Sequence, residues 1–143
     1  EIPILGGDTL DSNMVLEAAA GSDVQLYVST FYQEGGSPKF DDGIKAWLNE
    51  DSTAMTNNGG NDTIAAVTAM GYDAYYVALE ALKAAGSTDK AAVKAALPDV
   101  TYTGVSGSIA FDEQGDAIRD TAYIKTADTA NNAWALETMQ KAG

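Results

Sequence analysis

The sequence predicts an α/β protein with sheet layers flanked by helices, and three observations carry that prediction. A short apolar strand, Ile2 to Leu5, runs through a glycine turn into a helix. The longest helical signal follows, from Thr63 to Ala85. After it the chain returns to strands, beginning with Ser108 to Phe111, so the helical layer is followed by a sheet. With 143 residues, 45% of them hydrophobic, one domain or a piece of a larger one is expected.

Composition removes several function classes. Eight basic residues against 21 acidic ones give a net charge of −13. Nucleic acid is disfavoured as a partner, because phosphate binding needs Lys and Arg clusters. An anionic membrane surface is disfavoured for the same reason. Histidine and cysteine are both absent, which excludes Ser-His-Asp and Cys-His catalysis and the usual zinc sites. No apolar run approaches the roughly 18 residues of a membrane span. The chain opens at Glu1 with neither an initiator Met nor a signal-peptide pattern. The expectation is a processed fragment whose targeting information lies elsewhere.

In order, Pro3 argues for an edge position or a strand start in the first strand. Gly6-Gly7-Asp8-Thr9 turns the chain, and Asp11 or Ser12 can cap a helix from Asn13 to about Ala20, with Gly21 at its C′ position. Val24 to Phe31 is a second strand with Val24, Leu26 and Val28 on one face. Gln33 to Pro38 is a polar loop. A helix from Phe40 to about Asn49 carries Phe40, Ile44, Trp47 and Leu48 on an apolar face, with Asp41 and Asp42 at its positive end. Glu50 to Asp62 reads as a flexible loop around Asn57–Asp62, NNGGND. In the long helix Ile64, Val67, Met70 or Gly71, Ala74, Val77, Ala81 and Leu82 form the apolar stripe. Gly86 ends it, and Ser87 or Thr88 caps a further helix, Asp89 to Leu97. Ser108–Phe111 and Thr121–Thr126 read as a hairpin around the turn Asp112–Asp116, with Gly104 and Gly107 allowing a close approach or an unusual backbone. A last strand, Trp134 to about Thr138, follows the turn Asn131-Asn132.

Few residues suggest chemistry. The glycine turn 6–9 lacks both GxxxxGK[ST] and GxGxxG, so nucleotide binding has no support. GDTLDS has the look of a serine-hydrolase block, but Thr9 stands where the nucleophile is needed and there is no histidine. Asp8 is either an ordinary loop acid or a carboxylate that receives a ligand cation such as an ammonium, a task suited to a charge-assisted hydrogen bond. In open α/β sheets the loop at a strand's carboxyl end is where ligands bind. Asp112, Glu113, Asp116 and Asp120 could approach calcium, yet the EF-hand spacing is missing and a solvated turn is the simpler account. Tyr72, Tyr75 and Tyr76 fit helix packing better than a stacking platform. No metal or cofactor is expected.

Four stretches occur together in one order: PILGGD with its helix, VQLYVSTFY, MGYDAYYVALEALKAAGSTDKAAVKAAL and TGVSGSIAFDEQGDAIRDTAYI. In these the chain resembles the C-terminal portion of the branched-chain amino-acid binding proteins, the type I periplasmic solute receptors of ABC transporters. The resemblance implies a fragment of a two-lobed α/β fold. Residues 1–28 and 121–143 would be second-lobe segments and 29–120 a first-lobe segment. It places Asp8 where the ligand α-ammonium is held, flanked by Gly7 and Thr9, and Val67 near the apolar wall of the side-chain pocket. The implied function is extracytoplasmic binding of an amino acid, branched-chain or otherwise aliphatic, for delivery to an ABC permease, from the periplasm or as a surface lipoprotein. The alternative is a signalling receptor's sensor domain of the same fold; an enzyme is not expected. A fragment so divided leaves sheet edges and apolar faces open, so self-association into a dimer is expected.

Overall fold

Residues 2–141 are described by a computed structural model, and their strands form two sheets. Glu1 and the last two residues of the 121–143 segment lie outside the described residues. In chain order the elements are β1 (Ile4–Gly6), α1 (Asn13–Ala19), β2 (Leu26–Thr30), α2 (Pro38–Glu50), α3 (Ser52–Asn57), α4 (Ala66–Ala85), α5 (Lys90–Ala96), β3 (Tyr102–Gly104), β4 (Gly107–Phe111), β5 (Ala117–Ile118), β6 (Thr121–Asp128) and β7 (Ala133–Lys141). Short 3-10 turns lie at Asp8–Leu10 and Leu97–Asp99. No described helix is long and apolar enough to cross a membrane.

The larger sheet has the order β1-β2-β6-β7. β1 is parallel to β2, while β2 and β6, and β6 and β7, are antiparallel. β1 begins later than the apolar pattern suggests. Its first rung is Ile4 N donating to Gln25 O, and Pro3, which has no N–H, stays outside the ladder at a sheet edge. β2 alternates as a half-covered strand should, with Leu26, Val28 and Thr30 buried and Tyr27 and Ser29 half-buried.

The expected hairpin between 108–111 and 121–126 does not form. β4 pairs with β3 and β5, while β6 lies in the other sheet. The reason is local. Asp112 Oδ1 accepts from Gln114 N (3.0 Å) and Asp116 N (2.8 Å), and Asp112 N donates to Asp116 O (3.0 Å). Gly115 takes the left-handed conformation this turn needs, at φ +89. The chain therefore reverses by residue 117 and returns Ala117–Ile118 to β4, leaving the longer β6 free to join β2 and β7.

The helices carry further corrections. Of the two cap candidates for α1 it is Ser12 that serves, its Oγ accepting from Val15 N (3.3 Å). The span 50–62 is not all loop: Asp51 accepts from Thr53 N and Ala54 N (2.8 and 3.0 Å) and starts α3. Asn58 Nδ2 then bonds Asn61 O and Thr63 O (2.8 and 3.0 Å), which pins the NNGGND turn. On α2, Phe40 and Leu48 are buried but Trp47 is 53% exposed, because the covered face follows the four-residue steps 40, 44 and 48. The cap of α5 is Asp89, which accepts from Ala91 N and Ala92 N; Ser87 Oγ only receives Asp89 N. Gly86 ends α4 in the left-handed conformation, φ +57.

The buried face of α4 is Ala66, Ala69, Asp73, Val77 and Ala81. It is offset from the expected stripe: Ile64 precedes the helix, Val67 and Ala74 are exposed, and only Val77 and Ala81 are shared with the buried set. The helix packs through two clusters. Tyr32, Phe40, Ile64, Ala66 and Ala69 form one, with Ile44 and Val105 against it. Val77, Ala81, Val100 and Ile109 form the other, with Phe111 and Tyr102 beside it. Each such large apolar side chain contributes about 1.5–3 kcal/mol by leaving water.

Candidate functional site

The loop at the carboxyl end of β1 folds into a 3-10 turn. Leu10 N donates to Gly7 O (3.1 Å) and Asp11 N to Asp8 O (3.0 Å). Gly7 is extended, with φ −82 and ψ −179, and turns the chain out of the strand. Gly7 and Thr9 are exposed and Asp8 is half-buried. The Asp8 carboxylate accepts no hydrogen bond from any described residue; the helix cap next to it is Ser12. Val67 is the second residue of α4 and is 55% exposed.

The turn and α4 lie against each other, and a buried carboxylate explains why. Asp11 is 2% exposed. Its Oδ2 accepts from Thr30 Oγ1 of β2 (3.0 Å), from the Ala66 N–H at the start of α4 (3.1 Å) and from Lys125 Nζ of β6 (2.9 Å). Oδ1 also faces Lys125 Nζ, at 3.2 Å. Two charges taken out of water survive only when paired and hydrogen-bonded, and here both are. Two residues on, Asn13 Nδ2 donates to Asn58 O (2.8 Å) and Asn61 Oδ1 (2.7 Å). The segment 8–13 is thus tied to β2, β6, α4 and the 58–61 turn.

A second buried carboxylate holds the middle of α4. Asp73 accepts from Val105 N (2.9 Å), Ser106 N (2.7 Å) and Ser106 Oγ. Arg119 donates to Ser106 O and Oγ (2.9 Å each), and its guanidinium lies 5.4 Å from the Phe31 ring centroid. Gly104 permits this, since a Cβ there would land on the Asp73 carboxylate.

Sequence reasoning did not find either hub. Asp11 reads locally as a helix cap, and its partner Lys125 is 114 positions away. The available signals were a lysine in the middle of a strand and an aspartate on the apolar side of a long helix. Both are anomalies that only a paired partner resolves.

The remaining candidates take structural places. Asp112 and Asp116 close the β4–β5 turn, and among the described residues no group of three or more potential metal ligands occurs. Tyr72 and Tyr76 continue an aromatic run from Tyr32 and Phe40 to Tyr102, with centroid separations of 5.6, 5.0, 4.9 and 6.0 Å, and Tyr75 packs edge-on to Tyr76. The Tyr72–Tyr76 hydroxyl bond raises the Tyr72 pKa, and burial raises that of Tyr102.

Comparison with known proteins adds to this geometry. A family model described as periplasmic binding protein matches residues 1–132. A leucine binding protein from Thermotoga maritima is 27% identical, with a TM-score of 0.71; the alignment covers 96% of this chain and 37% of that one. An ABC transporter substrate-binding protein from Desulfitobacterium hafniense, solved with Leu, is 26% identical at a TM-score of 0.63, covering 95% and 36%. A solute binding protein from R. palustris, solved with benzoate, is 14% identical at a TM-score of 0.66, covering 96% and 36%, a likeness of fold alone. The chain spans little more than a third of the length of these structures. Among curated proteins none matches.

Proposed function

Because the chain belongs to the periplasmic binding protein family, we propose that it forms part of an extracytoplasmic receptor that binds an amino acid with an apolar side chain between two lobes. The receptor delivers its cargo to an ABC permease, from the periplasm or as a surface lipoprotein. Residues 1–28 and 121–143 belong to the second lobe and 29–120 to the first. Asp8 receives the ligand ammonium, Gly7 and Thr9 shape the turn around it, and Val67 adds to the apolar wall.

The observation that carries this reading is the Asp8 turn itself. It leaves a half-buried carboxylate unpartnered among the described residues, at the carboxyl end of a strand and beside the start of α4. Two relatives at 26–27% identity, one named for leucine and one solved with it, favour an aliphatic side chain. An ammonium paired with a carboxylate in a site closed to water forms a strong charge-assisted bond, and burying the side chain adds about 1.5–3 kcal/mol.

Calorimetric titration of the full-length protein with the common amino acids, beside its Asp8→Ala variant, tests this. Micromolar or tighter binding of an aliphatic subset, lost in the variant, is expected. Binding that survives Asp8→Ala removes the ammonium site.

The same division gives the isolated 143-residue chain a partner, a second copy. β7 is an open edge whose Leu136 and Met139 are each 48% exposed. An apolar groove of about 370 Å³ between α4 and β4, lined by Met70, Ala74, Val77, Ile109 and Phe111, is also open. Light scattering is expected to show a dimer; a compact monomer at all concentrations overturns this.

A further inference from the structure

We propose that Asp11 is the positioning residue of the Asp8 site: it sets the distance between the turn that carries Asp8 and the start of α4 that carries Val67. This rests on the reading of Asp8 and Val67 as parts of one site.

Oδ2 of Asp11 receives donors from three elements at once, Thr30 on β2, the Ala66 N–H on α4 and Lys125 on β6. Three donors on one oxygen leave that atom almost no freedom. The Asp11 main-chain N–H donates to Asp8 O (3.0 Å), so one residue grips the turn through its backbone and α4 through its side chain. Ala66 is the residue directly before Val67 and is fully buried. A shift of Asp11 is therefore passed to both halves of the site.

Asn13 reinforces the arrangement from the other side. It joins α1 to Asn58 and Asn61, and a Cβ at Gly59 would crowd it at 3.2 Å. The Ala66 contact goes to a helix N-terminal N–H, one of the first four donors that have no partner within their own helix.

The test separates charge from position in the full-length protein, with leucine as the probe. Asp11→Leu with Lys125→Met removes both charges and both remaining hydrogen bonds while keeping the branched side-chain shape at position 11. Asp11→Asn with Lys125→Met removes the charges but keeps an amide oxygen for Thr30 and Ala66. The expected result is leucine binding weakened about tenfold or more in the Leu/Met pair, the worth of one to two hydrogen bonds. The Asn/Met pair returns it to within about threefold of wild type, and both keep the melting temperature within a few degrees.

Leucine binding by the Leu/Met pair equal to wild type, while Asp8→Ala abolishes it, overturns the role of Asp11 and leaves the ammonium site standing. Where the Leu/Met pair does not fold, Ala66→Pro decides. It replaces the N–H that α4 gives to Asp11 with a ring Cδ, at a first helical position that accepts proline, and unchanged leucine binding in it overturns the proposal. Where wild type does not bind leucine, or Asp8→Ala binds as wild type, the site reading fails and amide exchange decides for Asp11. Faster exchange confined to residues 7–10 and 66–69 in the Leu/Met pair supports it, and unchanged exchange at either segment, or a uniform rise everywhere, overturns it.

Discussion

At the scale of single residues, buried polar groups hold the chain in place. Asp73 is fully buried on α4 and takes three bonds from residues 105 and 106, so the chain opposite must come close, and Gly104 is what lets it. Gly104→Ala puts a methyl group against a carboxylate that cannot retreat, and is expected to cost about 1–3 kcal/mol in urea unfolding. Tyr32 makes a second testable case. Its Oη donates to Asp41 Oδ1 (2.6 Å) and accepts from Ser37 N (3.1 Å). Burial first, and then the Asp41 bond, raises its pKa above the ordinary value of 10.0. The folded chain thus keeps a proton that the unfolded chain releases near that value. The Tyr32 contribution is whole below about pH 10 and declines as pH climbs toward the folded pKa. Urea midpoints at about pH 8 and about pH 11 should fall more steeply for wild type than for Tyr32→Phe.

At the scale of elements, most helix and strand positions were legible because their signals are local. Gly86 and Gly115 adopt the positive φ that their turns suggested, and Gly21 does so after α1. Leu26 and Val28 share a buried face as read, while Val24 lies before β2 and Thr30 takes the third buried place. The errors share one cause. Caps depend on side-chain geometry, and several polar candidates stand side by side, so Asp89 was passed over for Ser87 or Thr88 and α3 was missed behind Asp51. Asp89→Ala should cost about 1 kcal/mol, with amide exchange rising in α5 before the sheets. The stripe of α4 was misplaced because Asp73 belongs to its buried face and does not look as if it should.

At the scale of the whole molecule, the Asp11–Lys125 pair joins residues from opposite ends of the chain, at 1% and 3% side-chain exposure respectively. Lys125→Met alone strands a buried carboxylate and is expected to lose about 3–5 kcal/mol of stability. Adding Asp11→Leu should recover most of that loss, measured by thermal or urea unfolding. The candidate site shows the same dependence on distant contacts. Asp8 and its glycine turn were legible, because a strand, a turn and a helix leave a mark within a dozen residues. Asp11 as the tie to α4 was not legible, and local pattern read β4 and β6 as one hairpin where only the family likeness assigned them to different lobes. The sequence by itself determined the α/β class, most element positions and the family likeness, since periodicity, turn residues and motif order are written within short windows. Only the tertiary structure decided which strands pair, which face of α4 is buried and what holds the Asp8 turn to Val67. Those outcomes depend on buried polar groups finding partners tens to more than a hundred residues away, and no local pattern records which partner is found.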